Sequence, residues 1–243
     1  MLDAGLFPCD AIYALHNWPG LPAGQFAVNR GPMMAAFDTF EIEIRGRGTH
    51  AAMPEMGCDP FVPAAQIILA LQTIPGRRLS AHDAAVISVT QVHAGDTWNV
   101  IPAAVTVRGT ARCFSETVRS AIESNVRNIV GAIAAAHGAT ARIAYERRYP
   151  VTLNSTEEAD FAASVATAME TAVPVQVGCR PSMASDDFGF LLQNLPGAYI
   201  WLGAGDEQHC EPLHSPMYDF NDAILEIGAR YWVRLIERAL PCP

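Results

Sequence analysis

The chain has 243 residues, half of them hydrophobic, and a formal net charge of −9, so it is long enough to bury one large core or two small ones. Its 16 basic residues are all arginine and lie scattered, which excludes Schiff-base lysine chemistry and a phosphate loop ending in lysine, and argues against nucleic acid as a partner. Apolar stretches are broken by Arg, Asp, Gly and Pro before any reaches about eighteen residues, so no membrane span is expected; MLDAGLFPCD lacks the regions of a secretory signal, and a cytoplasmic chain is expected.

The first predicted elements are strands near residues 11–15 and 25–29. His16, in AIYALHNWPG, follows the first of them directly and is expected at a strand end, where α/β sheets bind ligands. A hydrogen-bonded structural histidine is the other reading of that address. Residues 38–46, DTFEIEIRG, alternate apolar and polar as a half-buried strand does. RGRGTHAAMP follows as a glycine-rich turn, where the glycines permit close approach of backbone to another molecule; His50 is either a participant there or a surface turn residue.

DPFVPAAQIILALQTI predicts a helix over 60–74, with Pro in its first turn and Pro75-Gly76 as its stop. AAVISVTQVHAG and IPAAVTVRGTARC predict two strands joined by GDTWNV. SETVRSAIESNVRNIVGAIAAAHGA runs from a Ser115 cap to His137-Gly138 with an apolar stripe at helical spacing, and ARIAYERRYP predicts a closing strand. Strand, helix, strand, strand, helix, strand is the split βαβ or ferredoxin-like order, complete within residues 37–150 and able to stand as a domain. The flanking pieces, 1–36 and 151–243, are expected to form one α/β domain that it interrupts.

In the second flank STEEADFAASVATAMETA and ILEIGARYWVRLIERAL read as helices, and VPVQVG and AYIWLGAG as strands. Ser185, Asp186 and Asp187 open a predicted helix in SMASDDFGF, either as ordinary first-turn residues or as a pocket wall that orients a histidine or binds substrate. EPLHSPMYDFND brackets His214 between Pro212 and Pro216, which lowers the entropy cost of holding an imidazole still. Cys9, Cys58, Cys113, Cys179, Cys210 and Cys242 form no C-x-x-C pair, which predicts free, mostly buried thiols.

ALHNWPG, GRGTHAAMP, WNVIPAAVTVRGTAR, MASDDFGF and PLHSPMYDFND, in this order and spacing, resemble the metal-dependent amidohydrolases of the aminoacylase and carboxypeptidase superfamily. The likeness is greatest to the hippurate hydrolase and indoleacetyl-amino-acid hydrolase branch and runs along the whole chain. It implies a metallopeptidase-like α/β catalytic domain interrupted by a ferredoxin-like satellite that serves as lid and dimer interface. It further implies metal ligands at His16 and His214, and two divalent ions in a complete member. Imidazole ligands suit zinc, manganese and cobalt alike. His50 matches a lid histidine that in family dimers reaches the partner's active site and helps stabilise the oxyanion. Asn99 matches a position that recognises the peptide-like group, and Arg112 one for the free carboxylate, which its planar fork suits. The implied reaction hydrolyses the amide bond of a small N-acyl amino acid, releasing a carboxylic acid and an amino acid, in a homodimer.

The resemblance also implies an H-x-C-G-H-D-like stretch and a Glu-Glu pair containing the general base. Neither occurs here; the one Glu-Glu, Glu157-Glu158, falls in the first turn of a predicted helix, where acids are structurally expected. The chain is therefore expected to lack the N-terminal part of the family, to expose a sheet edge, and to be poorly soluble or associated with another chain. Three readings follow: an amidohydrolase represented by an incomplete chain, a catalytically inactive dimerisation or binding module, and a one-metal hydrolase using His16, His214 and Asp186 or Asp187.

Overall fold

The computed structural model describes Gly5, residues 9–169 and residues 173–241. Cys242 and the last three residues of the helix predicted from STEEADFAASVATAMETA lie outside the described residues. The chain divides into two compact units, one made of the residues up to Met34, Thr152–Ser182 and Asp186 onwards, the other of Ala35–Val151 with Met183–Ser185. No helix among the described residues is long and apolar enough to cross a membrane.

The first unit opens with strands β1 (Ile12–Pro22), β2 (Phe26–Val28) and β3 (Gly31–Met34). β1 runs well past the strand predicted at 11–15 and absorbs the Trp-Pro-Gly stretch that reads as a turn. Its position explains this: among the described strands β1 pairs on one side only, and its register shifts between Trp18 and Pro22, so the missing proline donors break no regular ladder.

The middle unit contains β4 (Ala36–Arg45), β5 (Thr49–His50), α1 (Phe61–Leu71), β6 (Ala85–His93), β7 (Val100–Ile101), β8 (Ala104–Cys113), α2 (Glu116–Ala136) and β9 (Thr140–Tyr149). Its antiparallel sheet has the order β6-β8-β4-β9. Along β4 every second residue, Ala36 to Ile44, is buried, as the period of two dictates. Ile42 and Ile44 pack there with Ile67 and Leu71 of α1 and Ile122 and Val126 of α2, each burial contributing about 1.5–3 kcal/mol. The hydroxyl of Ser115 accepts from the Val118 N–H at 3.1 Å to start α2, and Gly138, at φ +70°, ends it. α1 stops at Leu71, short of the predicted end, and a wide turn over Ile74–Arg78 contains Pro75-Gly76, so that pair is not the stop.

The first unit is completed by β10 (Thr152–Asn154), α3 (Thr156–Thr167), β11 (Gln176–Val177), α4 (Phe188–Leu192), β12 (Gly197–Gly205) and α5 (Leu225–Ala239). Its main sheet has the order β1-β12-β2-β11, with β12 parallel to β1 and antiparallel to β2. β12 is buried from Gly197 to Ala204. Ala198, Ile200 and Leu202 on one side of it join α3 and α5 in a core with Tyr231 and Leu235, while Tyr199 and Trp201 face the other way. A Cβ on Gly203 would sit 2.0 Å from the carbonyl oxygen of Pro22, and one on Gly205 2.2 Å from that of Pro19. The Gly-Ala-Gly end of β12 is thus what lets the irregular end of β1 press against it.

Candidate functional site

His16 lies inside β1, opposite Trp201, rather than at the strand end expected for it. Its half-buried imidazole places Nδ1 2.7 Å from the Asn17 carbonyl oxygen. A carbonyl can only accept, so Nδ1 donates, and in the neutral ring it is Nε2 that presents a lone pair. The Tyr199 ring lies 6.2 Å away at 28° to the imidazole, and Trp18 meets it edge-on at 6.4 Å. Trp18 in turn stacks on Trp201 at 4.1 Å.

Tyr199 is itself held from both ends. The Asn154 side chain accepts from its N–H at 2.7 Å and donates to its carbonyl at 3.0 Å, and its hydroxyl donates to Asp186 Oδ2 at 2.9 Å. The other Asp186 oxygen accepts from the Phe188 N–H at 2.8 Å, so this carboxylate ties the first residue of α4 to a buried tyrosine. Burial, and then the negative charge of Asp186, push the Tyr199 hydroxyl well above its ordinary pKa, which keeps it a donor.

His214 is exposed and adopts φ +67°, the one positive value outside glycine among the described residues. Its loop is tied down on either side. Asn221 donates to the Ala204 carbonyl at 3.0 Å and to Asp206 Oδ2 at 2.9 Å, and the Tyr218 hydroxyl accepts from the Asn17 amide. Asn17 follows His16, so the His214 loop is fastened to the residue next to the strand histidine.

In the middle unit, β5 and β7 form a two-residue ladder that pairs His50 with Val100, and the Ala51 N–H donates to the Asn99 carbonyl at 2.9 Å. His50 and Asn99 are therefore side by side, both exposed. The glycines around His50 serve the chain's own backbone: a Cβ on Gly46 would lie 1.9 Å from the Cys58 carbonyl oxygen, and one on Gly48 2.9 Å from that of Ile101. The Ala52 N–H donates to His50 Nδ1 at 3.1 Å, so the neutral ring carries its proton on Nε2, the opposite arrangement to His16.

Arg112 is not part of that pair. It sits eight residues into β8, which at strand rise is about 26 Å from the end next to β7. There it covers the Phe37 ring at 4.5 Å and donates through Nη1 to the Met183 carbonyl at 2.8 Å and to Ser185 Oγ at 2.9 Å. Burial lowers its pKa, yet a guanidinium stays charged.

Sequence reasoning did not single out Tyr199, Asn154, Asn17 or Tyr218. The available signal was a phenol in the otherwise apolar AYIWLG strand, because a buried tyrosine hydroxyl usually finds a partner. An imidazole that gives one N–H to a backbone carbonyl and keeps the other nitrogen free is arranged as metal-binding histidines are. His16 fits a divalent ion in this respect. Among the described residues no group of three or more His, Cys, Asp and Glu side chains is gathered as a metal site.

Residues 1–238 match the model of peptidase family M20/M25/M40. The chain is 33% identical over 236 residues to an N-acetylcysteine deacetylase of Bacillus subtilis, covering 97% of this chain and 60% of that protein. It is 34% identical over 238 residues to the hippurate hydrolase of Campylobacter jejuni, covering 97% of this chain and 61% of that protein. Among solved structures it is similar, at TM-score 0.81 and 31% identity, to the YXEP protein of Bacillus subtilis, described as a dinuclear metal binding peptidase from the M20 family; the match covers 98% of this chain and 60% of that one. The chain thus spans about three fifths of the length of the relatives it matches.

Proposed function

The chain belongs to peptidase family M20/M25/M40 and has its mixed α/β fold, and from that premise we propose that it acts in the hydrolysis of the amide bond of N-acyl amino acids. The observation that carries the proposal is the opposite hydrogen bonding of two histidine Nδ1 atoms, one facing a carbonyl and the other an N–H. His16 offers a lone pair at Nε2, as a metal ligand must, and His50 offers an Nε2 proton, as a donor to an oxyanion must. The names of the relatives support an acyl group as small as acetyl or as large as benzoyl.

In this reading His16 and His214 hold divalent metal, as zinc, manganese or cobalt, and two ions are expected because a family neighbour is dinuclear. Such a pair, when bound, supplies Lewis acidity and a more acidic water. A catalytic metal normally takes at least three protein ligands, so His16 and His214 are part of a larger donor set. Other residues of the chain hold the loop and the substrate. Asn17, through Tyr218, holds the His214 loop to the strand of His16. Arg112 has spent Nη1 on Met183 and Ser185, which leaves Nε and Nη2 for the substrate carboxylate. Asn99 recognises the peptide-like group beside His50.

Residues 37–150 act as a ferredoxin-like satellite, lid and homodimer surface. The separation of His50 and Asn99 from Arg112 within the middle unit supports this, because it suits a histidine that serves a second copy. The proposed setting is the cytoplasm, with a small N-acyl amino acid as the partner.

The test is amino-acid release from N-benzoylglycine and N-acetylcysteine by the purified 243-residue chain, with manganese, cobalt or zinc and an EDTA control. Metal uptake that is weakened in His16→Ala and in His214→Ala is expected, and metal-dependent turnover lost in the same variants would show that this chain suffices for the reaction. Folded protein that takes up metal and releases nothing from either substrate would sink the reading for this chain.

A further inference from the structure

We infer that Asp186, acting through Tyr199, is a positioning residue for His16, setting the plane of the imidazole so that Nε2 keeps one direction. The inference rests on the reading of His16 as a metal ligand. It comes from an unbroken run of contacts that links Asp186 to His16 through Tyr199. The Tyr199 backbone is immobilised twice over, within the central strand and by both ends of the Asn154 amide. The buried ring packs beside Phe188, 5.9 Å away. Its far end is stopped by the 2.9 Å bond to Asp186 Oδ2, and Asp186 is stopped by the 2.8 Å bond from the Phe188 N–H. The ring so fixed lies 28° from the His16 imidazole at 6.2 Å.

The hydrogen bond from His16 Nδ1 to the Asn17 carbonyl sets which nitrogen is protonated. It joins adjacent residues of one strand, so it brings no support from another element. Tyr199 and the edge of Trp18 supply walls for the ring. A carboxylate suits the far end of this run because a phenol donates more strongly to an ionised acceptor than to a neutral one. Both Asp186 oxygens already hold protein donors, which fits a supporting group better than a ligand.

The experiment compares the parent chain with Tyr199→Phe, Asp186→Ala and Asp186→Asn by cobalt(II) titration, following the visible absorption bands, and by long-range proton–nitrogen-15 spectra of the His16 ring without metal. His16→Ala identifies the bands and the ring signals. Loss of such a supporting bond typically weakens metal binding about 10- to 100-fold. Tyr199→Phe and Asp186→Ala are expected at the lower end, about tenfold, with altered or broadened His16 nitrogen signals. Asp186→Asn, which keeps one acceptor oxygen for the two donors that Asp186 holds, is expected between the parent and Asp186→Ala. Should Asp186→Ala not fold, Tyr199→Phe, which removes one hydroxyl, still decides. Cobalt affinity and His16 signals unchanged in Tyr199→Phe would overturn the inference. A parent chain that binds no cobalt refutes the metal reading, and the nitrogen spectra then decide the positioning by themselves.

Discussion

At the scale of single residues, His214 pays for its place in the backbone. A side chain in the left-handed region costs about 1–2 kcal/mol, and only a well-tied loop holds it there. At φ +67° His214→Gly removes that cost while gaining unfolded-state freedom worth about 0.5–1 kcal/mol, so the two largely cancel. We expect His214→Gly to unfold in urea within about 1 kcal/mol of the parent, and His214→Ala, which keeps the strain, to be no more stable than His214→Gly. Both lose metal uptake if the imidazole is a ligand. A large loss of stability in the glycine variant would mean instead that the imidazole holds the loop. The sequence pointed to His16 and His214 through the LHN and LHSP stretches, and to Ser185, Asp186 and Asp187 as a possible wall. It could not say which ring nitrogen is free, because that follows from carbonyls and amides one and two residues away, whose directions only the folded backbone defines.

At the scale of elements, period and caps carried the most information. β4 buries every second residue as DTFEIEIRG indicates, and α2 runs from Ser115 to His137-Gly138 as its caps indicate. The failures are physical too. β1 keeps Pro and Gly inside a strand because among the described strands it is paired on one side, and β5 and β7 are two residues each, too short to show a period. The same alternation puts Asp38 in the buried register of β4, a position the sequence marks but cannot explain. Its partner is Arg119 on the buried side of α2, whose Nε and Nη2 reach Asp38 Oδ1 at 2.8 and 2.6 Å, with the Tyr145 hydroxyl at 2.9 Å from Oδ2. Burial opposes the Arg119 charge, and the bonds to Asp38 and Glu116 outweigh it, so the guanidinium pKa is raised. Asp38→Ala would leave that cation buried beside no carboxylate on β4, at a cost of about 3–5 kcal/mol. Urea unfolding should show this loss, and Asp38→Ala combined with Arg119→Met should recover most of it. A single variant within about 1 kcal/mol of the parent would mean that water reaches the pair in solution.

At the scale of the whole molecule, the two units differ in how the chain builds them. The middle one is a single stretch, Ala35–Val151, apart from Met183–Ser185, and one apolar cluster spans its four-stranded sheet and both helices. The other is assembled from separate stretches, so it closes only after the chain has passed through the middle unit. A fragment of residues 35–151 should therefore fold alone. It loses the bonds from Arg112 to Met183 and Ser185 and from the Ala35 N–H to the Ala184 carbonyl, which together cost on the order of 1–3 kcal/mol. That is a fraction of what a core of this size supplies. Cys113 provides the reporter: burial raises its thiol to about 11, so in a folded fragment at pH 8 it is both covered and protonated. Raising a thiol favours the protonated native state, so this stability is complete below the ordinary thiol value near 9 and declines as the pH rises through about 11. We expect a single cooperative urea transition, a Cys113 that resists disulfide reagents at pH 8 until that transition, and a fall in stability above pH 9 that Cys113→Ala reduces, with the half-buried Tyr145 phenol, also raised, carrying the part that remains. Rapid reaction of Cys113 in the untreated fragment would show that the middle unit needs the rest of the chain to close its core.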